Sequence, residues 1–354
     1  MLAPSIRPNV TLRIGVLEGD GIGQEIVPAA TRVIERTDLE VEFVDLPVGW
    51  DAYEECGSTV PESTVDALEA CDGWLLGPVF AGEYPDDDLA DGNPSRTLRT
   101  EFDLYANVRP VRSYDDIGPP GMDLTIFRQN TEGFLADRNM YVDDGRFMPT
   151  EDVAMSVRVI TRRECRRIAE AAFAYADGRS MDVTAVSKRN NFPNAGRLFL
   201  KACETAAESY PGVELKTFMI DAFAMELVVN PTDHDVVVTT NLFGDILSDE
   251  AAGVVGSLGL GPGLNHGEEH AMGQAIHGAA PDIAGENIAN PTSMILSATM
   301  LLEWLGERGH GEAADAGSAI RDAVTRTINN GVRTTDLDGD ATTTEFADEV
   351  LARL

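Results

Sequence analysis

Short apolar runs alternate with amphipathic stretches along nearly the whole chain. LRIGVL leads through the glycine turn EGDGIG into an amphipathic helix pattern, and EVEFVDLPVG then alternates as a strand. PESTVDALEACDG carries a helix start at Pro61, and GWLLGPV is a buried strand ending in Gly-Pro. Val236, Val237 and Val238 form another buried strand, followed by a helix over NLFGDILSDEAAGVV. TRRECRRIAEAAFAYA predicts a helix with basic residues on one side, and PTSMILSATMLLEWLGERG a strongly apolar helix closed by Gly309. Strands alternating with helices predict an α/β architecture. In residues 137–160, a D-D-G turn between extendable segments predicts a hairpin arm.

Composition narrows the class. With 354 residues, 43% of them hydrophobic, the chain can bury a large core and divide into two lobes. No apolar run is long enough to span a bilayer and the first residues lack a secretory pattern, so a cytoplasmic protein without membrane partners is expected. Cys56, Cys71, Cys165 and Cys203 show no paired metal-ligand spacing and read as reduced thiols. A net charge of −33 excludes a nucleic-acid partner, because that affinity rests on cations neutralising phosphates. The 60 acidic residues are spread over all segments, the balance of a halophilic protein whose self-repulsion concentrated salt would screen.

The candidate chemistry clusters in a few places. Asp245 and Asp249, four residues apart, should share one helix face. Two acids at that spacing repel unless a cation compensates, and a hard divalent ion is the natural guest. A solvated acidic face is the alternative, but Leu242, Phe243, Ile246 and Leu247 flank the pair and argue for a semi-buried site. Arg99, Arg109 and Arg128 each border an apolar element, and converging guanidinium forks would receive an acidic small molecule. Lys188 is one of only three lysines and follows a short apolar strand; lysine can give up its proton where arginine cannot. GDGIGQE lacks the dinucleotide order G-x-G-x-x-G, so Gly19, Gly21 and Gly23 read as a turn near a cofactor and not as a Rossmann fingerprint. HGAAPDIAGENIANP is rich in turn formers and reads as a functional loop.

Taken in order, GDGIGQE, LRTEFDLYANVRP, FRQNTEGF, the Lys188 segment, DAFAMELV, the aspartate segment and HGAAPDIAGENIANP resemble the β-decarboxylating dehydrogenases. That family includes the isocitrate, isopropylmalate, homoisocitrate, tartrate and D-malate enzymes. The resemblance implies an isopropylmalate dehydrogenase-like, two-lobed, non-Rossmann α/β fold with an active cleft between lobes. Residues 1–104 and 256–354 would form the NAD-binding lobe; 105–255 would form the second lobe, with an arm near 137–155. It further implies a homodimer, or a tetramer, in which the partner subunit completes each cleft.

By the same resemblance, Asp221, Asp245 and Asp249 would hold Mg²⁺ or Mn²⁺. Arg99, Arg109 and Arg128 would bind the hydroxy-dicarboxylate substrate, with Asn93, Ser95, Arg96 and Asn190 nearby. Lys188, with Asp221, would be catalytic, removing the hydroxyl proton; a lysine near pKa ~10.4 needs burial and metal charge to do so at neutral pH. Gly77, His277, Gly278, Ala280, Asp282, Ile283 and Asn290 would bind the cofactor, and Asp282 favours NAD because a carboxylate accepts from ribose hydroxyls and repels a 2′-phosphate.

Two departures stand out. Where the family places a proton-donating tyrosine, seven residues beyond Arg128, this chain has Leu135; Tyr141 or a bound water would have to substitute, or decarboxylation would be impaired. Ser187, Arg189 and Asn191 also alter the lysine neighbourhood, and together these changes keep a non-catalytic or altered-activity binding protein open as an alternative. Asn93, Ser95 and Arg96 are polar where an isopropyl group would need an apolar patch. A polar malate-type acid (isocitrate, homoisocitrate, tartrate or D-malate) is therefore expected, with 3-isopropylmalate the named alternative.

Overall fold

The computed structural model describes residues 11–80, 84, 92–134 and 145–354. In chain order the elements are β1 (Leu12–Leu17), α1 (Gly23–Glu35), β2 (Val41–Asp45), α2 (Gly49–Cys56), α3 (Glu62–Glu69), β3 (Gly73–Leu76), α4 (Pro94–Glu101), β4 (Ala106–Arg112) and β5 (Asp123–Gln129). Then come β6 (Arg146–Thr150), β7 (Val153–Ser156), α5 (Arg162–Asp177), β8 (Val183–Ser187), α6 (Pro193–Ala207), β9 (Leu215–Met219), α7 (Ile220–Val229), β10 (Val236–Thr239) and α8 (Asn241–Val255). The chain closes with β11 (Leu264–His266), β12 (Ala271–Gln274), α9 (Thr292–Glu307), α10 (Gly311–Asn329) and α11 (Thr343–Leu351).

Ten strands form one mixed sheet in the order β2-β1-β3-β12-β11-β4-β5-β10-β8-β9. One half is drawn from the beginning and end of the chain and the other from its middle. The inner strands β3, β8 and β10 are buried along their whole length, which explains their unbroken apolar sequences: a parallel strand covered on both faces has no polar side to show. Within the second half, β5, β10 and β8 run parallel, with Thr239 paired to both Arg128 and Val186. Their carboxyl ends therefore lie side by side, the place where open α/β sheets bind ligands. Arg128 ends one of these strands and Lys188 follows another. No helix among the described residues is long and apolar enough to cross a membrane.

Three details differ from the sequence pattern. The arm is a hairpin, but it reverses at Glu151–Asp152, between β6 and β7. Gly145, with φ +76°, leads into β6 instead of closing the turn. Ile246, expected to shield the aspartates, is exposed, whereas Leu247 is fully buried, so α8 turns only one of its apolar edges inward. Finally, Arg162, Arg163 and Arg166 of α5 are exposed as a basic side requires, but Arg167 is buried, held by Asp103 at 2.8 Å and Glu164 at 3.2 Å.

Candidate active site

Strands β4 and β5 pair antiparallel and carry Arg109 and Arg128 into the floor of the site, while α8 lays Asp245 and Asp249 over them. The approach is close because residue 244 is glycine: a Cβ there would lie 2.6 Å from the Arg128 Cβ. Arg128 pairs with Asp245 and donates from Nε to Asn241 Oδ1 at 2.8 Å. Arg109 reaches Asp245 at 3.4 Å, Asp249 at 3.6 Å and Ser248 Oγ at 2.6 Å, and its Nε donates to Asn107. Asn107, Asn241 and Ser248 were not singled out in the sequence. Small polar residues beside buried arginines are the one signal that marks them.

Arg99, in the last turn of α4, joins the same group. Burial first, and the Arg109 charge second, push its pKa down to about 9; burial and the same neighbour push Arg128 well down. Arginine keeps its proton in proteins, so the shifts record the cost of crowding three buried cations. Arg99 Nε is buried without a hydrogen-bond partner. An anionic guest would answer both the crowding and the idle donor. Asp249 is shifted the other way: burial raises its pKa, with Arg109 opposing and the Asp245 charge adding to the rise.

Gln274, missed in the sequence, ties the group to α4. Its Oε1 accepts from Arg99 at 2.8 Å, from Ser95 Oγ at 3.0 Å and from Asn265 at 3.3 Å. Ser95 is thus buried in the network. Asn93 is occupied differently: its side chain caps α4 by accepting from Arg96 N at 3.3 Å.

Lys188 and Asp221 meet elsewhere. The lysine donates to the aspartate at the start of α7 and holds that carboxyl below the usual range. Among the described residues no hydrogen bond or ion pair joins this pair to Asp245 or Asp249, and no three-acid group with metal-binding spacing occurs. Asn190, in the same loop, is exposed and caps Asn191 N at 3.0 Å. As a donor set, Asp245 and Asp249 are oxygen ligands on one face and suit a hard cation, but two carboxylates alone do not complete a shell. Leu135 and Tyr141 lie outside the described residues.

The loop 277–291 packs on the glycine turn, where Ile22 N donates to Ala279 O at 2.9 Å. His277 Nε2 is buried without a partner, and its Nδ1 lies 3.1 Å from Gly278 O. Burial lowers the pKa of this imidazole and keeps it neutral, able to serve a polar ligand. Gly278 and Asp282 are exposed beside it, with Ala280 and Ile283 half-buried. These features fit a dinucleotide. Asn290, by contrast, braces the loop, donating to Asp336 at 3.0 Å and accepting from Thr292 N at 3.0 Å. Gly77 lies at the end of β3, bonded to Leu17 O at 2.8 Å.

Residues 13–350 match the isocitrate/isopropylmalate dehydrogenase family. The isocitrate/homoisocitrate dehydrogenase of Thermus thermophilus is 43% identical, covering 97% of this chain and 98% of its own. The 3-isopropylmalate/3-methylmalate dehydrogenase of Methanocaldococcus jannaschii is 41% identical, covering 97% and 98%. Among solved structures, isocitrate dehydrogenase from Methylococcus capsulatus superposes with a TM-score of 0.87 at 37% identity, covering 97% of this chain and 99% of that one. A β-decarboxylating dehydrogenase from Thermococcus kodakarensis gives 0.80 at 35% identity, covering 97% and 96%. The chain belongs to the isocitrate/isopropylmalate dehydrogenase family and is an NAD-dependent, decarboxylating dehydrogenase of the kind that uses Mg²⁺ or Mn²⁺.

Proposed function

We propose that the substrate is a malate-type 2-hydroxy acid, isocitrate or homoisocitrate with their polar 3-substituents ahead of tartrate or D-malate. The observation that carries this reading is the hydrogen-bonded wall of Ser95, Gln274 and Arg99. The wall satisfies its own hydrogen bonds except at Arg99 Nε, and an isopropyl group against it would leave that buried donor unpaired, at a cost of about 1–3 kcal/mol. An added carboxylate or hydroxyl would instead find donors there. The Thermus relative, named for isocitrate and homoisocitrate, supports the same choice.

In this reading Arg99, Arg109 and Arg128 grip the carboxylate that leaves and fix the orientation of the carbon beside it. Asp245 and Asp249 hold the divalent ion, and His277 and Asp282 hold the dinucleotide. When bound, NAD supplies the hydride acceptor and the ion a positive charge beside the substrate's oxygens. Lys188 Nζ takes the hydroxyl proton, with Asp221 orienting it.

We place Lys188 and Asp221 in the cleft of a second copy, so that a homodimer carries two shared sites between its lobes. Two features support this: the pair stands apart from Asp245 and Asp249, and α7 and α8 expose Met225, Val228, Val229 and Ile246, as the hairpin exposes Phe147, Met148 and Met155. The halves of the sheet support the division into lobes at 1–104 with 256–354 and at 105–255.

The test is NAD reduction with Mn²⁺ in concentrated KCl across isocitrate, homoisocitrate, tartrate, D-malate and 3-isopropylmalate, with CO₂ followed separately. Turnover of isocitrate or homoisocitrate with matching CO₂ is expected. Turnover confined to 3-isopropylmalate, the reading that the Methanocaldococcus relative favours, would overturn the proposal. NADH without CO₂ would show that Leu135 leaves oxidation uncoupled from decarboxylation.

A further inference from the structure

A second concentration of positive charge lies away from the arginine–aspartate group. The start of α5 and one side of α6 enclose an open hollow of about 810 Å³ lined by Arg162, Arg166, Arg189, Arg197 and Lys201, with one carboxylate, Glu204. Each helix carries a like-charged pair at i and i+4, Arg162 with Arg166 on α5 and Arg197 with Lys201 on α6. Such pairs repel, and here both face the same space.

The chain has 60 acidic residues against 27 cations, so carboxylates to quench these charges are abundant in the sequence. Few are supplied here. Glu204 is engaged by Lys201 at 3.5 Å, and Arg166 has only Glu170 at 3.7 Å on its own helix. Arg197 is turned onto Asn194 at 2.7 Å and the Pro193 carbonyl at 3.2 Å. Arg162 and Arg189 make no ion pair among the described residues. The backbone of Arg189 is held against α6: Gly196 packs so closely that a Cβ there would come within 2.7 Å of the Arg189 Cα. The amino end of α5, capped by Thr161, adds the positive pole of its dipole.

We propose that this hollow binds a small, multiply charged anion, a polyphosphate or polycarboxylate, gripped by the arginine forks of α5 and α6 with Arg189 closing one side. Planar guanidinium groups take phosphate and carboxylate oxygens in pairs, and only a guest with several negative charges would relieve both like-charged pairs at once. The site is separate from the substrate arginines and holds whether or not the substrate assignment does.

The experiment is calorimetric titration of the intact protein with inorganic tripolyphosphate and with citrate. With any anion at the substrate arginines accounted for by the Arg99→Gln chain, one further tripolyphosphate or citrate per chain is expected, bound at least about tenfold more weakly by an Arg162→Gln/Arg197→Gln variant, as the loss of charge-assisted contacts requires. The Arg162→Lys/Arg197→Lys variant, which keeps the charge, should retain binding within a few-fold and so separates lost charge from a damaged fold. Arg99→Gln should leave the event that the Arg162→Gln/Arg197→Gln variant weakens unchanged, because its guanidinium belongs to the other site. A preference for citrate assigns a polycarboxylate, and a preference for tripolyphosphate a polyphosphate. No binding of either probe, equal binding by the doubly neutralised variant, or loss of that event in Arg99→Gln would overturn the proposal.

Discussion

Arg109 and Arg128 lie on buried strands with side chains only 6% and 5% exposed, roofed by a helix whose carboxylates they already hold. Lys188 and Asp221 meet instead where a strand ends and a helix begins, with side chains 22% and 66% exposed. The first group is assembled within one chain and paid for by close packing; the second is a pair of side chains waiting at a surface. In the proposed reading, the binding residues that tolerate crowded charge are built into the core, and the residues that would move a proton stand where another surface could close on them.

The strongest way to break that comparison is to divide the two groups between chains. Lys188→Met and Asp245→Asn should each lower kcat by about a hundred- to ten-thousandfold, the usual range for removing a proton-transfer group or a ligand that orders the site. If each cleft takes Lys188 and Asp221 from one copy and Asp245 from the other, co-refolding equal amounts of both variants creates mixed dimers with one intact site. About a quarter of wild-type activity should then return, as random pairing in a two-fold dimer requires. A mixture as inactive as its components would mean that the site closes within a single chain.

Much of this was readable in the sequence, and the limits are physical. Strands β3, β8 and β10 announced themselves because parallel strands buried on both faces must be apolar throughout. Asp245 and Asp249 were legible because helical spacing converts directly into a shared face. The convergence of Arg99, Arg109 and Arg128 was not, since it depends on strand pairing between segments far apart in the chain. Gln274 was invisible for a related reason: nothing in the local pattern says that its carbonyl oxygen will be shared by Ser95, Arg99 and Asn265. The exposure of Ile246 ran against its apolar character, and in the proposed dimer a second copy would cover it.

A smaller effect sharpens the packing side of the comparison, using two glycines of the same helix. Gly244→Ala forces a methyl group against Arg128, and overpacking of this kind costs about 1–3 kcal/mol. At Gly253 nothing lies within 4 Å, so Gly253→Ala should stabilise α8 by up to about 1 kcal/mol through its better helix propensity. Denaturant midpoints measured on the two variants should move in opposite directions. Equal shifts would mean that the arginine floor yields to α8 and is not rigidly packed beneath it.

The smallest effect concerns pH. His266 sits on β11, beside β4 on the arginine side of the sheet, packed against Tyr105 and Trp304. Burial lowers its pKa from 6.5 to about 4, so the unfolded chain binds a proton there more readily than the folded one. Its contribution to stability is therefore complete above pH 6.5 and is lost as the pH falls toward 4. Asp221, held down by the Lys188 bond, follows the same sign in a lower window, losing its contribution only below the ordinary carboxylate value of 3.8. Mild acid should thus loosen the β4–β11 side while the Lys188–Asp221 pair is still ionised. In melting curves between pH 7.5 and 5, His266→Phe should show a shallower loss of Tm than the parent chain, with the slope that remains coming from His234 and His277, whose pKa values burial also lowers. Identical slopes would show that the imidazole on β11 takes up its proton without disturbing the sheet, and that the arginine half owes none of its acid sensitivity to that strand.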